Sequence, residues 1–341
     1  MTLRVLDSVP EALLDVDVRR IAEVVPEPTL IHLAGQRQPA LFVSALLHGD
    51  ESVGLVAIQR LLRKYDGHAL PRALSIFIGN VAAASAGVRR LPQQPDFNRV
   101  WPGTQIGACD EVAIVREVVD AMRQRGVFAS IDLHNNSGLN PHYACVNQLD
   151  AAFLQLATLF SRTVVYFREP RGVQSAAFAK LCPAVALECG RAGDAEGEAR
   201  ALAVLDAVLH LAELPLHAPS AADIDLFHTV AIVKVPPEVS LSFDGSPADL
   251  VFREDLDHLN FSELVRGTAL ARVRQRRDAP LWVPGDDGAN RWQLFFEVRD
   301  EQLVLRASLM PAMLTRSVAA VRQDCLCYLM ERLLPPAAGA R

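Results

Sequence analysis

Between Leu41 and His210, short apolar runs alternate with longer stretches of helical periodicity, and few architectures accommodate that alternation. The runs are "LFVSALL", "LSIFIG", "FASIDL", "TVVYF" and "AVALE". Between them, "ESVGLVAIQRLLRKY" carries Val53, Val56, Ala57 and Leu61 at helical spacing, and "DEVAIVREVVDAMRQRG" repeats the pattern up to Gly126. The segment reads as an α/β domain with a mixed, mostly parallel and largely buried sheet flanked by helices. "ALSIFIGNVAAASAGV" reads as a strand running into a loop, since it holds Asn, Ser and Gly and falls short of the roughly 20 apolar residues that span a bilayer.

After "LHLAELPLHAPSAAD" the pattern changes to short β-like pieces, "HTVAIVKV", "ALARVRQ", "WQLFFEVRD" and "LVLRASL", with "PGDDGAN" as a turn. A domain boundary is therefore expected near Ala218, dividing the chain into residues 1–217 and a smaller β-rich domain, 218–341. The last amphipathic stretch, "VRQDCLCYLMERLL", is expected to close the chain as a helix. In "RVRQRR", Arg272, Arg274 and Arg276 would share one solvated face of a strand.

Half of the 341 residues are hydrophobic, enough for a sizeable core. A net charge of −6 without a long basic block argues against nucleic acid or an anionic membrane as partner and favours a small molecule, while a homo-oligomer stays open. The N-terminal "MTLRVLDSVPEALLDVDVRR" carries acids throughout and lacks the basic start and apolar centre of a signal peptide. The six cysteines are scattered, with no C-x-x-C pair, which fits a reducing cytoplasm.

In open α/β sheets ligands gather at the carboxyl ends of the strands. His48 follows "LFVSALL", Asp132 and His134 follow "FASI", and Glu188 ends "AVALE". Each has a plain structural account when taken singly. Glu51 in "HGDE" suits a helix start through the helix dipole, and a lone histidine is commonly a hydrogen-bonded core residue. Together, two histidines and a carboxylate from neighbouring strand ends make a set that binds zinc and leaves a coordination position open. Asp132, two residues before His134, is placed either to orient an imidazole or to cap a loop at the strand end. In "GVRRLPQQPDFNRVWPG", Asn98 and Arg99 lie in a loop with little core to serve, and an arginine fork matches a carboxylate.

"HGDE" (His48 to Glu51), "DFNR" ending at Arg99, "DLHN" with His134 and "ALECG" with Glu188, in that order, resemble the succinylglutamate desuccinylase/aspartoacylase family, a branch of the zinc carboxypeptidase-like fold. The resemblance covers roughly Leu41 to Leu214, and it implies that His48, Glu51 and His134 hold one Zn2+ per chain. It implies Glu188 as general base, Asn98 and Arg99 as ligands of a substrate carboxylate, and an upstream arginine that polarises the scissile carbonyl. The position of that arginine is Leu91 here, so Arg90 is the nearest candidate and Arg89 the alternative. His142 stands where related desuccinylases also carry a histidine, lining the site or serving the structure. Where such members read the acyl group, this chain has "SAAFAKLCP", and the acyl and amino-acid pockets stay unassigned.

The activity so implied is zinc-dependent hydrolysis of the amide of an N-acyl amino acid or a similar small amide. Two other readings remain at this stage: a metallocarboxypeptidase that uses Arg99 for a peptide's terminal carboxylate, and a metal- or metabolite-binding protein without catalysis. A binding module has no need of a base such as Glu188.

Overall fold

The computed structural model describes residues 1–275, 279–285 and 287–334. Arg276 of the arginine stripe and Asp286 of "PGDDGAN" lie outside the described residues. The chain divides into two compact units, one formed by Met1–Asn135 and His142–Leu226, the other by Asn136–Pro141 and Phe227–Leu333.

The first unit contains strands β1 (Arg4–Leu6), β2 (Thr29–Leu33), β3 (Ala40–Ala45), β4 (Leu74–Ile78), β5 (Val127–His134), β6 (Tyr143–Val146), β7 (Thr163–Tyr166) and β8 (Ala184–Glu188). Its helices are α1 (Val53–Lys64), α2 (Val81–Ala86), α3 (Asp110–Arg125), α4 (Ala151–Thr158), α5 (Gln174–Phe178) and α6 (Ala195–His210). The strands stand in the order β1-β2-β4-β3-β5-β8-β6-β7. Only β2–β4 and β6–β8 pair antiparallel, so the sheet is mixed and mostly parallel. The middle strands β3 and β4 are buried along their whole length, which is why their sequences are apolar runs and do not alternate.

Register decides which side chains share a face. Phe42 is paired with Ser130, Ser44 with Asp132, and His134 with Glu188, so the ionisable residues of β5 and β8 point to one side. The opposite side carries Ala45 and Leu133 and receives α1, on which α6 packs. Gly54 permits that approach, because a Cβ there would stand 2.7 Å from the Cβ of Ala45. On the polar side an aromatic cluster forms the floor. Phe42 and Phe178 stack with centroids 4.2 Å apart, and Trp101 meets Phe77 and Phe178 edge-on at 5.8 and 6.0 Å. All four side chains are fully buried.

The second unit holds β9 (Asp225–Val233), β10 (Leu241–Ser242), β11 (Leu250–Phe252), β12 (Ala269–Val273), α7 (Trp292–Phe295), β13 (Phe296–Arg299), β14 (Gln302–Leu305), β15 (Met310–Ala312), α8 (Val318–Gln323) and β16 (Cys327–Leu333). One sheet runs β10-β11-β12-β14-β13, and β9, β16 and β15 are neighbours in that order in another. Arg272 and Arg274 are exposed while Val273 between them is buried, the alternation expected of that strand.

Four expectations need revision. The closing segment is not a single helix: α8 takes only Val318–Gln323, and "CYLMERL" is a strand whose Met330 pairs with Met310. A short apolar run is ambiguous between helix and strand until a partner strand is present. "WQLF" turns as α7, its Trp292 N–H bonded to the side chain of Asn290, before β13 begins. The presumed loop after β4 contains α2, capped by Asn80, whose side chain accepts from the Ala83 N–H. The units divide after Leu226 and not at 217/218, because the intervening residues bond to the first unit: Arg162 donates to the Ala222 carbonyl at 3.2 Å and pairs with Asp225. No helix among the described residues is long and apolar enough to cross a membrane.

The stacked aromatic floor yields a direct test. Phe178→Ala is expected to lower the stability of the chain by about 3–5 kcal/mol, read as a reduced midpoint in urea unfolding.

Candidate metal and active site

At the carboxyl end of β3 the chain must turn sharply, and its residues are adapted to that. Leu46 adopts a left-handed backbone (φ 55), and its carbonyl accepts from the Asn80 N–H at 2.6 Å. Gly49 lies against the backbone of α2, where a Cβ would stand 2.2 Å from the Ala83 carbonyl carbon. No other residue type fits between His48 and Asp50 without moving α2.

This turn brings His48 and Glu51 beside His134, at the end of β5. His48 Nδ1 lies 2.7 Å from Glu51 Oε1, and His134 Nδ1 lies 2.7 Å from Glu51 Oε2. All three residues are buried, and one donor atom from each lies within 4.8 Å of the others, a group able to hold a metal ion. The outer nitrogens are held by acids: His48 Nε2 is 3.0 Å from Asp96 Oδ1, and His134 Nε2 is 2.7 Å from Asp132 Oδ2. Ser44 Oγ donates to the other oxygen of Asp132 at 2.7 Å. Asn135 donates its N–H to Glu51 Oε2 at 3.2 Å and accepts from the Val53 N–H at the start of α1.

Arg89 donates to Asp96 Oδ2 at 3.0 Å, and its other terminal nitrogen is 3.6 Å from Glu51 Oε1. Three carboxylates against one guanidinium leave two negative charges when both imidazoles are neutral. The titration of the group follows from that excess. Burial disfavours a cationic His134, but Asp132 and Glu51 outweigh it and raise its pKa well above the usual imidazole range. Burial and Arg89 likewise disfavour a cationic His48, and Glu51 and Asp96 prevail. Burial opposes ionisation of Glu51, yet the two imidazoles hold its carboxyl far below its ordinary value. Either protons or a divalent cation can supply the missing positive charge.

Glu188 ends β8 beside His134. Its Oε2 is buried and accepts no hydrogen bond from the described residues. Burial pushes its pKa up to about 7, against the pull of the imidazoles.

The structure separates the two candidate arginines. Arg89 reaches the cluster, whereas Arg90 donates to the Gln94 carbonyl at 2.8 Å. Arg99 folds back on the carbonyl of Asn98, also at 2.8 Å. The Asn98 amide lies inside the cluster, 3.1 Å from His134 Nε2. His142 is held by Asp194, with 2.9 Å between Nε2 and Oδ2, and packs against Phe160 and Gly190.

Sequence reasoning found Asp132 because residues two apart on a strand share a face. It missed Asp96, which partners a histidine 48 positions away, although Asp96 stands in the already conspicuous "DFNR". The available signal was chemical: each ligating histidine needs an acceptor for its second nitrogen.

Residues 37–211 match the family model described as the succinylglutamate desuccinylase/aspartoacylase catalytic domain. The chain belongs to this family. Over 79 residues it is 37% identical to a succinylglutamate desuccinylase from Burkholderia lata, a match spanning 23% of this chain and 22% of that protein. Among solved structures, a Vibrio parahaemolyticus succinylglutamate desuccinylase is similar at a TM-score of 0.60 and 14% identity, covering 89% of this chain and 86% of that one. Murine aminoacylase 3 gives a TM-score of 0.60 at 16% identity, with 88% and 99% covered. At these identities the structural likeness supports the desuccinylase/aspartoacylase fold.

The charge balance couples metal binding at this candidate set to pH. Raised imidazole pKa values mean that the metal-free site keeps its protons to higher pH, so a metal must displace them. The affinity of chelator-stripped protein for zinc is therefore expected to fall steadily from about pH 8 to about pH 6, with proton release on binding measurable by calorimetry in buffers of different ionisation enthalpy.

Proposed function

We propose that the chain is a zinc-dependent hydrolase of the amide bond in an N-acyl amino acid or a similar small amide that carries a carboxylate. The observation that carries this reading is the buried His48–Glu51–His134 set beside Glu188, a carboxylate whose Oε2 has no hydrogen-bond partner among the described residues. The residues fit the metal. Two imidazoles and a carboxylate suit zinc, and each outer imidazole nitrogen is already held by an aspartate. Bound there, zinc would lower the pKa of water to about 7 and polarise a carbonyl.

The chain's own residues account for the remaining steps. Glu188 accepts the proton of the attacking water and passes it to the leaving nitrogen, which makes the amine a workable leaving group. Arg89, with Arg90 turned to Gln94, is the guanidinium assigned to the developing oxyanion. Arg99 takes the substrate carboxylate and so sets the scissile bond against the base. No role in substrate binding is proposed for His142, whose Nε2 is engaged by Asp194. A reducing cytoplasm suits the six scattered cysteines, none of them in a C-x-x-C pair.

Purified protein is expected to hold one zinc per chain by elemental analysis and to lose it in His48→Ala. The zinc-loaded protein should cleave at least one member of a panel of N-acetyl and N-succinyl amino acids. Failure across the panel, with zinc bound, would overturn the reading. Glu188→Gln should keep the metal and lose activity by about 10²- to 10⁴-fold, whereas full activity in that variant would remove Glu188 as the base.

A base acts only when ionised, so kcat/KM should fall as the pH drops through the pKa of Glu188. Burial puts that pKa at about 7 without a metal, and a neighbouring dication lowers it. The acid limb of the zinc enzyme is thus expected at or below about pH 7, as read from a pH–rate profile.

A further inference from the structure

We infer that His142 and Asp194 are positioning residues for Glu188, clamping the turn that follows the base from the far side of the sheet. The inference rests on the hydrolase reading for its kinetic arm only. Tyr143 is the register partner of Glu188, so these two share the face on which His134 lies. His142, one residue earlier, turns to the opposite face, as alternation along a strand requires. There its imidazole meets α6, where a Cβ on Gly197 would stand 3.4 Å from His142 Nε2. His142 thus stands behind Glu188, on the side away from the metal set.

The pair is built around the turn. β8 ends at Glu188, and the chain must reverse within a few residues to enter α6. Gly190 makes part of that reversal with a left-handed backbone, φ 74. A Cβ there would stand 2.4 Å from Asp194 Oδ2 and 2.9 Å from His142 Nε2, so the pair lies directly against the glycine. His142 Nε2 donates to Asp194 Oδ2 at 2.9 Å, since a carboxylate oxygen only accepts. Oδ1 of the same carboxylate accepts from the Glu196 N–H and caps α6. One carboxylate therefore ties the histidine to the start of the helix. The histidine is fixed in turn, because Ser161 Oγ donates to its carbonyl at 2.8 Å and Phe160 packs on its ring.

From β5, the turn is met by two further bonds. The Cys189 N–H donates to the His134 carbonyl at 2.9 Å, and Asn135 Nδ2 donates to the Gly190 carbonyl at 3.0 Å. The turn is thus gripped between the end of β5 and the His142–Asp194 pair. That grip bears on the base, because Glu188 Oε2 has no hydrogen-bond partner among the described residues to orient it. The direction of the carboxylate follows from the backbone that carries it, and a displacement of about 1 Å at a reacting group costs up to about 100-fold in rate.

The test compares purified wild type, His142→Ala, His142→Gln and Asp194→Ser, each with zinc added. Serine still caps α6 but is too short to reach His142, so Asp194→Ser removes the clamp and keeps the cap. Two quantities are read: amide hydrogen exchange at Cys189 relative to β3, and kcat and KM on whichever N-acyl amino acid the wild type cleaves. His142→Ala and Asp194→Ser are expected to lower kcat by about 10- to 100-fold with KM and bound zinc unchanged. Exchange at Cys189 should rise about 10-fold, the effect of one lost hydrogen bond, while β3 stays protected. His142→Gln, whose amide still donates to Asp194, should recover most of the lost kcat. A variant that only melts earlier, with kcat and the relative exchange unaltered, overturns the inference, because the pair would then be scaffold. A raised KM with kcat unaltered overturns it by making His142 a substrate contact, and so does a lower kcat with unaltered exchange. Should His142→Ala fail to fold, Asp194→Ser is judged by the same readouts. If the wild type takes up no zinc or cleaves no such substrate, the hydrolase reading fails, while exchange at Cys189 still decides whether the pair holds the turn.

Discussion

The carboxylate of Glu51, buried between two imidazoles at 2.7 Å on either side, is the interaction on which the rest of the polar site depends. An ionised carboxylate out of water is costly unless it is paired and hydrogen-bonded. His48 and His134 pair it, and each imidazole in turn requires an acceptor on its far nitrogen, which Asp96 and Asp132 supply. The result is a chain of alternating acids and bases closed at one end by Arg89 and at the other by Ser44. Its excess of negative charge can be met by protons or by a dication, and the carboxylates around them raise the pKa of both imidazoles of the candidate metal set.

The sheet makes this chain possible by rigidity. His134 and Glu188 are register partners on β5 and β8, and Ser44 and Asp132 are register partners on β3 and β5. Their separations follow from strand spacing and need no flexible loop. The loop that delivers Asp96, Asn98 and Arg99 gains comparable rigidity from its own buried residues. Phe97 and Trp101 sink into the aromatic floor around Phe77 and Phe178, and Gln94 exchanges amide hydrogen bonds with Asn80 at 3.0 and 3.1 Å. A loop pinned at both ends holds its charged side chains in a fixed geometry against the sheet.

Sequence reading succeeded where one physical rule governed one segment. The apolar runs of β3, β4 and β8 are strands because both faces of the central sheet are covered, and α1 and α3 begin and end close to where their periodicity does. It failed where two rules competed. "CLCYLMERLL" satisfies a helical stripe and a buried strand equally, and the pairing of Met310 with Met330 decides for the strand. Asn80 suits a loop by composition, and its capping role shows only once the helix it starts is in place.

By itself the sequence determined the α/β class, the strand ends that carry His48, His134 and Glu188, and the residue types able to bind zinc. These are local properties: periodicity, and the position of a polar residue at the end of an apolar run. Only the tertiary structure decided which partners those residues take. Arg89 and Arg90 are adjacent in the chain, and the course of the loop sends one guanidinium to Asp96 and the other to a backbone carbonyl. Asn98 and Arg99 are likewise neighbours, yet one side-chain amide faces Asp132 and His134 while the other side chain folds back on the Asn98 carbonyl. Such choices depend on contacts among residues far apart in sequence, and no spacing along the chain encodes them.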